Sequence, residues 1–243
     1  MHKSLRLRLG SAVALALTSA VAVADSPTAA PPAAATDVGV TTAEVQASLT
    51  PDAVLTQLQA GNERYASGQL TERNVLAQVA ATATGQYPKA VILSCLDSRI
   101  VPELVFDQGI GDLFVARVAG NIENADILGS MEFATHVAGA RLIVVLGHTE
   151  CGAIKGACNG VEMGNLTALL SNMAPAIEAS RHVQGDHNAA NHAFVEAVTH
   201  ANVDQTVRDI TERSEVLSAL VADGRLRVVG ATYDLATGRV TWH

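Results

Sequence analysis

The stretch AVILSCLDSR at residues 90–99 decides how this chain folds. Its first six residues are apolar or small, and such unbroken runs are typical of parallel strands that are buried on both faces. Similar runs follow at residues 113–118, 142–147 and 226–231. Helical patterns at residues 127–137 and 202–222 lie between or beside these runs. The sequence therefore predicts an α/β fold with a mainly parallel sheet flanked by helices.

Side chains that bind metals follow two of these predicted strands. Cys95 ends the first run, and His148 and Cys151 come directly after the third. Because the carboxyl ends of parallel strands meet at one edge of a sheet, these distant residues can come together there. Two thiolates and one imidazole suit Zn²⁺, whereas the two sulfurs argue against Mg²⁺ or Ca²⁺. We therefore predict one zinc ion per chain, bound by these three side chains.

Asp97 and Arg99 decide whether such a zinc site is structural or catalytic. Three protein ligands leave a fourth tetrahedral position, which a structural site fills with a residue and a catalytic site keeps for water. Asp97 is able to fill that position, and Arg99 is able to hold its carboxylate away from the metal. An ordinary ion pair at the end of a strand is the simpler alternative.

The three cysteines also permit a disulfide, between Cys95 and Cys151 or between Cys158 and either of them. Three is an odd number, however, and a domain of this length does not need a covalent cross-link to be stable. We therefore favour the metal site for the first two cysteines. Cys158 is predicted to be a small buried apolar residue.

The first 24 residues differ from the rest of the chain. Lys3, Arg6 and Arg8 precede a small apolar stretch, and the sequence AVA at residues 22–24 provides a cleavage site. This pattern predicts a secretory signal peptide and hence an exported, most simply periplasmic, protein. An uncleaved membrane anchor is the alternative, although the apolar stretch is short for one. Residues 25–41 are predicted to be a disordered Pro/Ala-rich leader, and residues 42–243 one globular domain.

Charge argues against nucleic acid as a partner. The whole chain of 243 residues has a formal charge of −8, and removal of residues 1–24 leaves 13 Lys and Arg against 24 Asp and Glu, a formal −11. No cluster of basic residues remains, and phosphate binding depends on such clusters. We predict no contact with nucleic acid, and none with a membrane after cleavage.

The motifs resemble those of the β-class carbonic anhydrases. The resemblance covers nearly all of the predicted domain and includes C-x-D-S-R at residues 95–99 and H-x-x-C-G at residues 148–152. It also includes RVAGN at residues 117–121, GNERY at residues 61–65 and GATYD at residues 230–234. Either metal-binding motif alone is weak evidence. Both together, each behind a predicted buried strand, form a specific pattern.

This resemblance implies an enzyme, a carbonate dehydratase (a lyase) that reversibly hydrates CO2 to bicarbonate and a proton. It implies zinc on Cys95, His148 and Cys151, with a zinc-bound hydroxide that Asp97, held by Arg99, orients toward CO2. In a closed form of the family, Asp97 is instead the fourth zinc ligand. The resemblance further implies a homodimer, often paired into a homotetramer, in which N-terminal helices (here within residues 42–68) extend onto the partner.

The resemblance implies roles for two more residues of the site. Gln108 matches a glutamine with which the open members bind substrate, so we predict a catalytic and substrate-binding role for it. Gly152 is predicted to allow close backbone approach and to take part in substrate binding. The closed members have a regulatory bicarbonate pocket with a Trp three residues before the first Cys, where this chain has Ile92; its only Trp is Trp242. The open form is therefore expected at neutral pH.

Two other functions remain open at this point. The same metal hydroxide is able to hydrolyse a CO2 analogue, such as carbonyl sulfide or carbon disulfide, and the zinc ligands do not distinguish these substrates. A non-catalytic, zinc-stabilised binding module is the second alternative. Such a module would not need Asp97, Arg99 and Gln108 together.

Overall fold

A five-stranded sheet lies at the centre of the fold in this computed structural model, which describes residues 38–243. The strands follow the order β2-β1-β3-β4-β5; the first four are parallel and the last pair is antiparallel. Every residue of the two central strands β1 and β3 is buried, as their apolar sequences predict. The strands are β1 (Ala90–Ser94), β2 (Leu113–Arg117), β3 (Leu142–His148), β4 (Arg227–Tyr233) and β5 (Val240–Trp242).

Ten α-helices are found in the described part of the chain. They are α1 (Ala43–Ser48), α2 (Pro51–Ala66), α3 (Val75–Thr82), α4 (Pro102–Val105), α5 (Ala125–Glu132), α6 (Gly152–Cys158), α7 (Gly164–Ser171), α8 (Ala174–Ala179), α9 (His192–Glu212) and α10 (Glu215–Ala222). A 3₁₀ turn spans Ala119–Asn121, and a π-helical turn, Phe133–Val137, continues α5. None of the helices within residues 38–243 has both the length and the apolar character needed to cross a membrane.

The strand order creates a switch point between β1 and β3. From β1 the chain moves to β2 on one side, and it then returns to place β3 on the other side. Two connections that leave in opposite directions open a crevice at the carboxyl ends of the strands between them. Residues that directly follow β1 and β3 therefore border this crevice.

Alternating residues of the sheet supply two apolar cores. Ile92 and Val144 face a core that includes Val54 and Leu58 of α2, and all four side chains are fully buried. The intervening strand residues face the opposite core, which is covered by α5, α9 and α10. A third apolar cluster, built largely from α6 to α9, surrounds Cys95 and Cys151. The described residues thus have the α/β fold with a mainly parallel sheet that the sequence predicts.

Helix α2 packs closely against the turn that follows α4. A Cβ atom at Gly61 would lie 1.9 Å from the backbone oxygen of Phe106, so only glycine allows this approach. The next residue, Asn62, donates to the backbone oxygens of Val105 and Gly238 at 3.1 and 2.9 Å. The GNERY motif therefore joins α2 to the turn after α4 and to the segment before β5.

Asp107 is the charged centre of this junction. Its side chain is fully buried, and it accepts from Arg64 Nε at 2.5 Å, from the Thr71 hydroxyl at 2.6 Å and from Arg73. Burial alone would raise the pKa of Asp107, but the hydrogen bonds from Arg73, Thr71 and Arg64 lower it to about 2. The residue has a positive φ of 48°, a strained conformation for a residue with a side chain. The ion pairs hold the turn in this conformation.

The predicted N-terminal region agrees with the structure in part. Helices α1 and α2 lie within residues 42–68, as expected. Residues 38–41, assigned to the leader, instead contact the domain, because Val38 accepts from Gln78 and Thr41 donates to Asp112. The rest of the leader and the predicted signal peptide lie outside the described residues. Since Val54 and Leu58 pack onto their own sheet, an extension of these helices onto a partner stays a prediction.

The predicted helix at residues 202–222 is wrong at its start and in its continuity. Helix α9 begins at His192, ten residues earlier, because Asn191 caps it by accepting from the backbone nitrogen of Phe194. A second cap, Ser214, accepts from the backbone nitrogen of Leu217 and starts α10. Two polar capping residues thus determine where α9 and α10 begin, although the apolar pattern alone predicts a single helix.

Replacement of Asp107 with Asn should lower the free energy of unfolding by about 3 kcal/mol at pH 7, because it leaves the two arginines without their buried partner. The pKa of Asp107 is lowered from 3.8 to about 2 in the folded state. Its contribution is thus complete above pH 4 and is lost as the pH falls toward 2. Urea unfolding at several pH values between 7 and 3 measures this, and a constant difference between the two proteins would contradict it.

Candidate metal centre

The sheet brings the three predicted ligands together. Cys95 directly follows β1, His148 is the last residue of β3, and Cys151 precedes the first residue of α6. Because β1 and β3 are paired neighbours, their carboxyl ends lie side by side. The two Sγ atoms and a ring nitrogen of His148 lie within 4.8 Å of one another, and all three residues are buried. This arrangement confirms the predicted Cys-His-Cys cluster as a group able to hold a metal ion.

The histidine ring is oriented for metal binding. Its Nδ1 lies 2.8 Å from the backbone oxygen of Thr149, an acceptor, so Nδ1 carries the proton and donates it. The opposite nitrogen, Nε2, is then an acceptor, and it is buried without a hydrogen-bond partner among residues 38–243. An unsatisfied buried polar atom of this kind is unfavourable unless a ligand binds it. A cation coordinated by Nε2 would satisfy it.

The two thiols differ in how readily they lose a proton. A hydrogen bond from Cys151 lowers the pKa of Cys95, and the Cys95 sulfur together with burial raises the pKa of Cys151. The backbone nitrogen of Gly120 also donates to Cys95 Sγ, at 3.4 Å. One proton is thus held between two sulfurs that converge on His148. A soft divalent cation suits this donor set and would displace that proton.

Asp97 lies beside the cluster, paired with Arg99. Arg99 Nε donates to Oδ1 at 2.9 Å and Nη2 to Oδ2 at 2.7 Å, a two-point contact between a guanidinium and a carboxylate. This pairing holds the pKa of Asp97 well below its usual range, so the side chain is ionised. Its Oδ2 lies 4.0 Å from the Nε2 atom of His148. The carboxylate therefore borders the cluster while it is held by the arginine.

Two residues of the RVAGN motif lie beside the cluster, although sequence reasoning assigned neither of them a role at the site. Arg117 at the end of β2 donates to the backbone oxygens of Cys95 and Asp97, and Gly120 donates to the Cys95 sulfur. Gly120 has a φ of +74°, and a Cβ there would lie 1.9 Å from the side chain of Met173. Position in the sequence was the available signal, because the RVAGN segment begins with the last residue of a third parallel strand, at the same edge of the sheet.

Gln108 lies apart from the cluster in this chain. Its side-chain nitrogen donates to the backbone oxygens of Phe106 and Asp107, at 2.6 and 3.1 Å. It borders a small cavity together with Arg64 and Arg73, and none of the metal-binding residues lines this cavity. The structure therefore does not bring Gln108 together with Asp97 and Arg99.

Gly152 and Cys158 differ from their predictions in detail. A Cβ atom at Gly152 would meet no atom of residues 38–243 within 4 Å, so close packing within the chain does not require glycine there. Cys158 is half-buried rather than fully buried. All three cysteines are free, which leaves Cys95 and Cys151 available to a metal. Glu150, between two ligands, is exposed and ion-paired with Lys155.

Comparison with known proteins decides the family. The family model described as Carbonic anhydrase matches residues 90–240, which include the whole Cys-His-Cys cluster and the four parallel strands. The chain belongs to the carbonic anhydrase family. The carbonic anhydrase 2 of Mycobacterium tuberculosis is 36% identical over 195 residues, which are 78% of this chain and 91% of that protein. The carbonic anhydrase of Pseudomonas aeruginosa is 36% identical over 165 residues, 65% of this chain and 74% of that protein.

Solved structures support the β-class fold of this carbonic anhydrase. A Coccomyxa β-carbonic anhydrase in complex with acetazolamide has a TM-score of 0.60 at 24% identity, over 78% of this chain and 81% of that one. The structures of two tetrameric β-carbonic anhydrases from Sordaria macrospora match with a TM-score of 0.59 at 24% identity, over 66% and 82% of the two chains. At this level of identity the likeness concerns the fold.

Removal of one ligand should abolish stable zinc binding by this carbonic anhydrase. We expect Cys95→Ser and His148→Ala to retain less than about one tenth of the wild-type zinc after dialysis, because two remaining ligands hold zinc poorly. Cys158→Ser is the matched control, since Cys158 lies outside the cluster, and it should retain one zinc per chain. Atomic emission measures the zinc content. Full zinc in both ligand variants would place the metal elsewhere.

Proposed function

We propose that this carbonic anhydrase reversibly hydrates CO2 to bicarbonate and a proton with one zinc ion held by Cys95, His148 and Cys151. The observation that carries the proposal is the unpartnered, buried Nε2 of His148, which faces two sulfurs and lies 4.0 Å from a carboxylate held by arginine. A purely structural site would be completed by a fourth protein ligand. Here the nearest candidate, Asp97, is occupied by Arg99.

Zinc, when bound, supplies a Lewis-acid position that lowers the pKa of a water molecule to near 7, so that a nucleophile exists at neutral pH. The chain contributes the surroundings of that position. The two thiolates neutralise the charge of the cation, and the Thr149 backbone oxygen keeps the His148 proton on Nδ1. Burial of all three ligands excludes bulk water from their far sides.

Asp97 is the residue proposed to orient the reaction. Its carboxylate is ionised and is therefore able only to accept hydrogen bonds. It selects a nucleophile that donates a hydrogen bond to it, and this bond directs the lone pair of the nucleophile away from Asp97. Arg99 holds both carboxylate oxygens and prevents Asp97 from becoming a ligand itself. This pairing supports the open form of the site. Lys would not reproduce the two-point contact.

The proposed role of Gln108 in substrate binding has less support. Its side-chain nitrogen is used within its own turn, and the cavity beside it does not include the metal cluster. A contact with substrate would therefore have to be made at the site of a second chain. Gly152 is better placed, because it is exposed directly after the ligand Cys151 and leaves open space at its α-carbon.

We expect Asp97→Asn to lower kcat for CO2 hydration by about 10- to 100-fold with zinc retained, because the amide donates where the carboxylate accepts. Asp223→Asn, at an exposed residue that ends α10, is the control and should change nothing. Stopped-flow assays with CO2 and with carbonyl sulfide measure both variants. A fully zinc-loaded wild type that acts only on carbonyl sulfide would favour the analogue hydrolase, and one inactive on both would favour a binding module.

We also propose that the protein is exported, after cleavage behind residue 24, and works as a homo-oligomer. The basic and apolar composition of residues 1–24 supports export. The fold shared with structures described as tetrameric supports self-association. Mass spectrometry of the protein from the periplasmic fraction tests both proposals: we expect a chain that begins at Asp25 and a native mass of two or four chains. An intact residue 1 or a single-chain native mass would contradict them.

A further inference from the structure

We propose that Arg117 is a positioning residue for Asp97: its guanidinium fastens the loop between Cys95 and Asp97 to the sheet and so sets where the Asp97 carboxylate lies. The inference rests on the proposed CO2 hydration by the Asp97–Arg99 pair. It concerns a residue that touches neither the carboxylate nor the metal ligands' side chains. Its effect passes through the backbone of the loop.

The contacts of Arg117 single it out. It is the last residue of β2 and is paired in register with Ser94, the last residue of β1. From there its Nε donates to the backbone oxygen of Cys95 at 3.1 Å and its Nη2 to that of Asp97 at 2.5 Å. The backbone nitrogen of Val118 adds a third bond, to the Ser94 oxygen at 3.1 Å. Three backbone oxygens where the chain leaves β1, those of Ser94, Cys95 and Asp97, are therefore bonded to the end of β2.

The loop itself does not provide this attachment. Asp97 begins a short turn in which its backbone oxygen accepts from Ile100 at 3.2 Å and its side chain accepts from the backbone nitrogen of Arg99 at 3.0 Å. These bonds are local and would move with the turn. The bonds from Arg117 span 20 and 22 residues and connect the turn to a strand. They determine where the turn lies relative to the metal ligands.

The guanidinium of Arg117 forms these two hydrogen bonds rather than an ion pair. Among the described residues, no carboxylate lies within ion-pair distance of its guanidinium. Its two donor groups point instead at two carbonyl oxygens of one loop. A planar guanidinium presents its donors in a rigid fork and is suited to two acceptors at once, whereas an ammonium is a single flexible point. Geometry, rather than charge neutralisation, explains this arginine.

The segment of residues 117–121, which begins with Arg117, is fixed by contacts of its own. Gly120, three residues on, donates to Cys95 Sγ and accepts from the Asn202 side chain at 2.8 Å. Its positive φ of 74° and the close approach of the Met173 side chain favour glycine at this position. The segment of residues 117–121 therefore supports both the first ligand and the loop behind it. A displacement of about 1 Å at a reacting group is enough to cost about 100-fold in rate.

The test compares Arg117→Met, which keeps the length and loses both donors, with Arg117→Lys and with the control Arg227→Met. Arg227 is ion-paired with Asp52 at the opposite, amino end of its strand β4. We expect Arg117→Met to lower kcat for CO2 hydration about 10- to 100-fold with KM changed less than about twofold. Zinc content should be unchanged. Lysine should restore only part of the loss, and the control should equal wild type.

The decisive measurement is a double-variant cycle on kcat/KM. If Arg117 acts through Asp97, Arg117→Met should have no further effect in the Asp97→Asn background. Multiplicative losses would overturn the inference, and so would wild-type kcat in Arg117→Met. An inactive, zinc-loaded wild type would instead overturn the proposed function and this inference with it.

A second readout does not depend on activity. With Co²⁺ in place of zinc, the visible absorption reports the surroundings of the metal, and it should change in Arg117→Met but not in Arg227→Met. An unchanged spectrum would overturn the inference. If Arg117→Met lost metal or failed to fold, Arg117→Lys would carry the comparison, and the same failure in Arg117→Lys would assign this arginine to folding rather than to positioning.

Discussion

The parallel pairing of β1 with β3 is the constraint on which the rest of the site depends. Residues Ala90–Ser94 and 142–146 are in register, so the carboxyl ends of the two strands lie side by side, and β3 extends two residues further to His148. Because β2 lies on one side of β1 and β3 on the other, the crevice at the carboxyl ends of these strands is open. Cys95 and His148 border it without any special loop. The apolar interior thus decides the position of the metal ligands, although it contains none of their chemistry.

Around this crevice, each polar group has one hydrogen-bonding role. Thr149 determines which nitrogen of His148 is free, Gly120 donates to a sulfur, and Arg99 holds a carboxylate next to the ligands. These groups come from the ends of three neighbouring parallel strands and from the turns that follow them. A buried site of this kind is stable only if its polar atoms are satisfied. Within residues 38–243, the buried Nε2 atom of His148 has no hydrogen-bond partner, and it faces the position where the cation would bind.

A second buried charge, Asp107, lies away from the cluster and has a structural explanation. It joins α2, the segment at residues 71–73 and the turn after α4 through Arg64, Thr71 and Arg73. The GNERY motif therefore belongs to this junction, where its glycine permits contact with Phe106 and its asparagine connects two chain segments. The motifs that this chain shares with its family therefore form two groups. One group surrounds the metal site, and the other attaches the first helices to the sheet.

The sequence by itself determined the four parallel strands, the Cys-His-Cys cluster and the family. Unbroken apolar runs predict buried parallel strands. Cys and His residues directly after two of these strands indicate a metal site. The extent of α9, the place of Gln108 and the contacts of Arg117 were decided only by the tertiary structure. Helix α9 depends on capping at Asn191, the Gln108 side chain depends on its own turn, and Arg117 depends on the strand that lies beside β1. These are properties of neighbours distant in sequence, which local patterns do not specify.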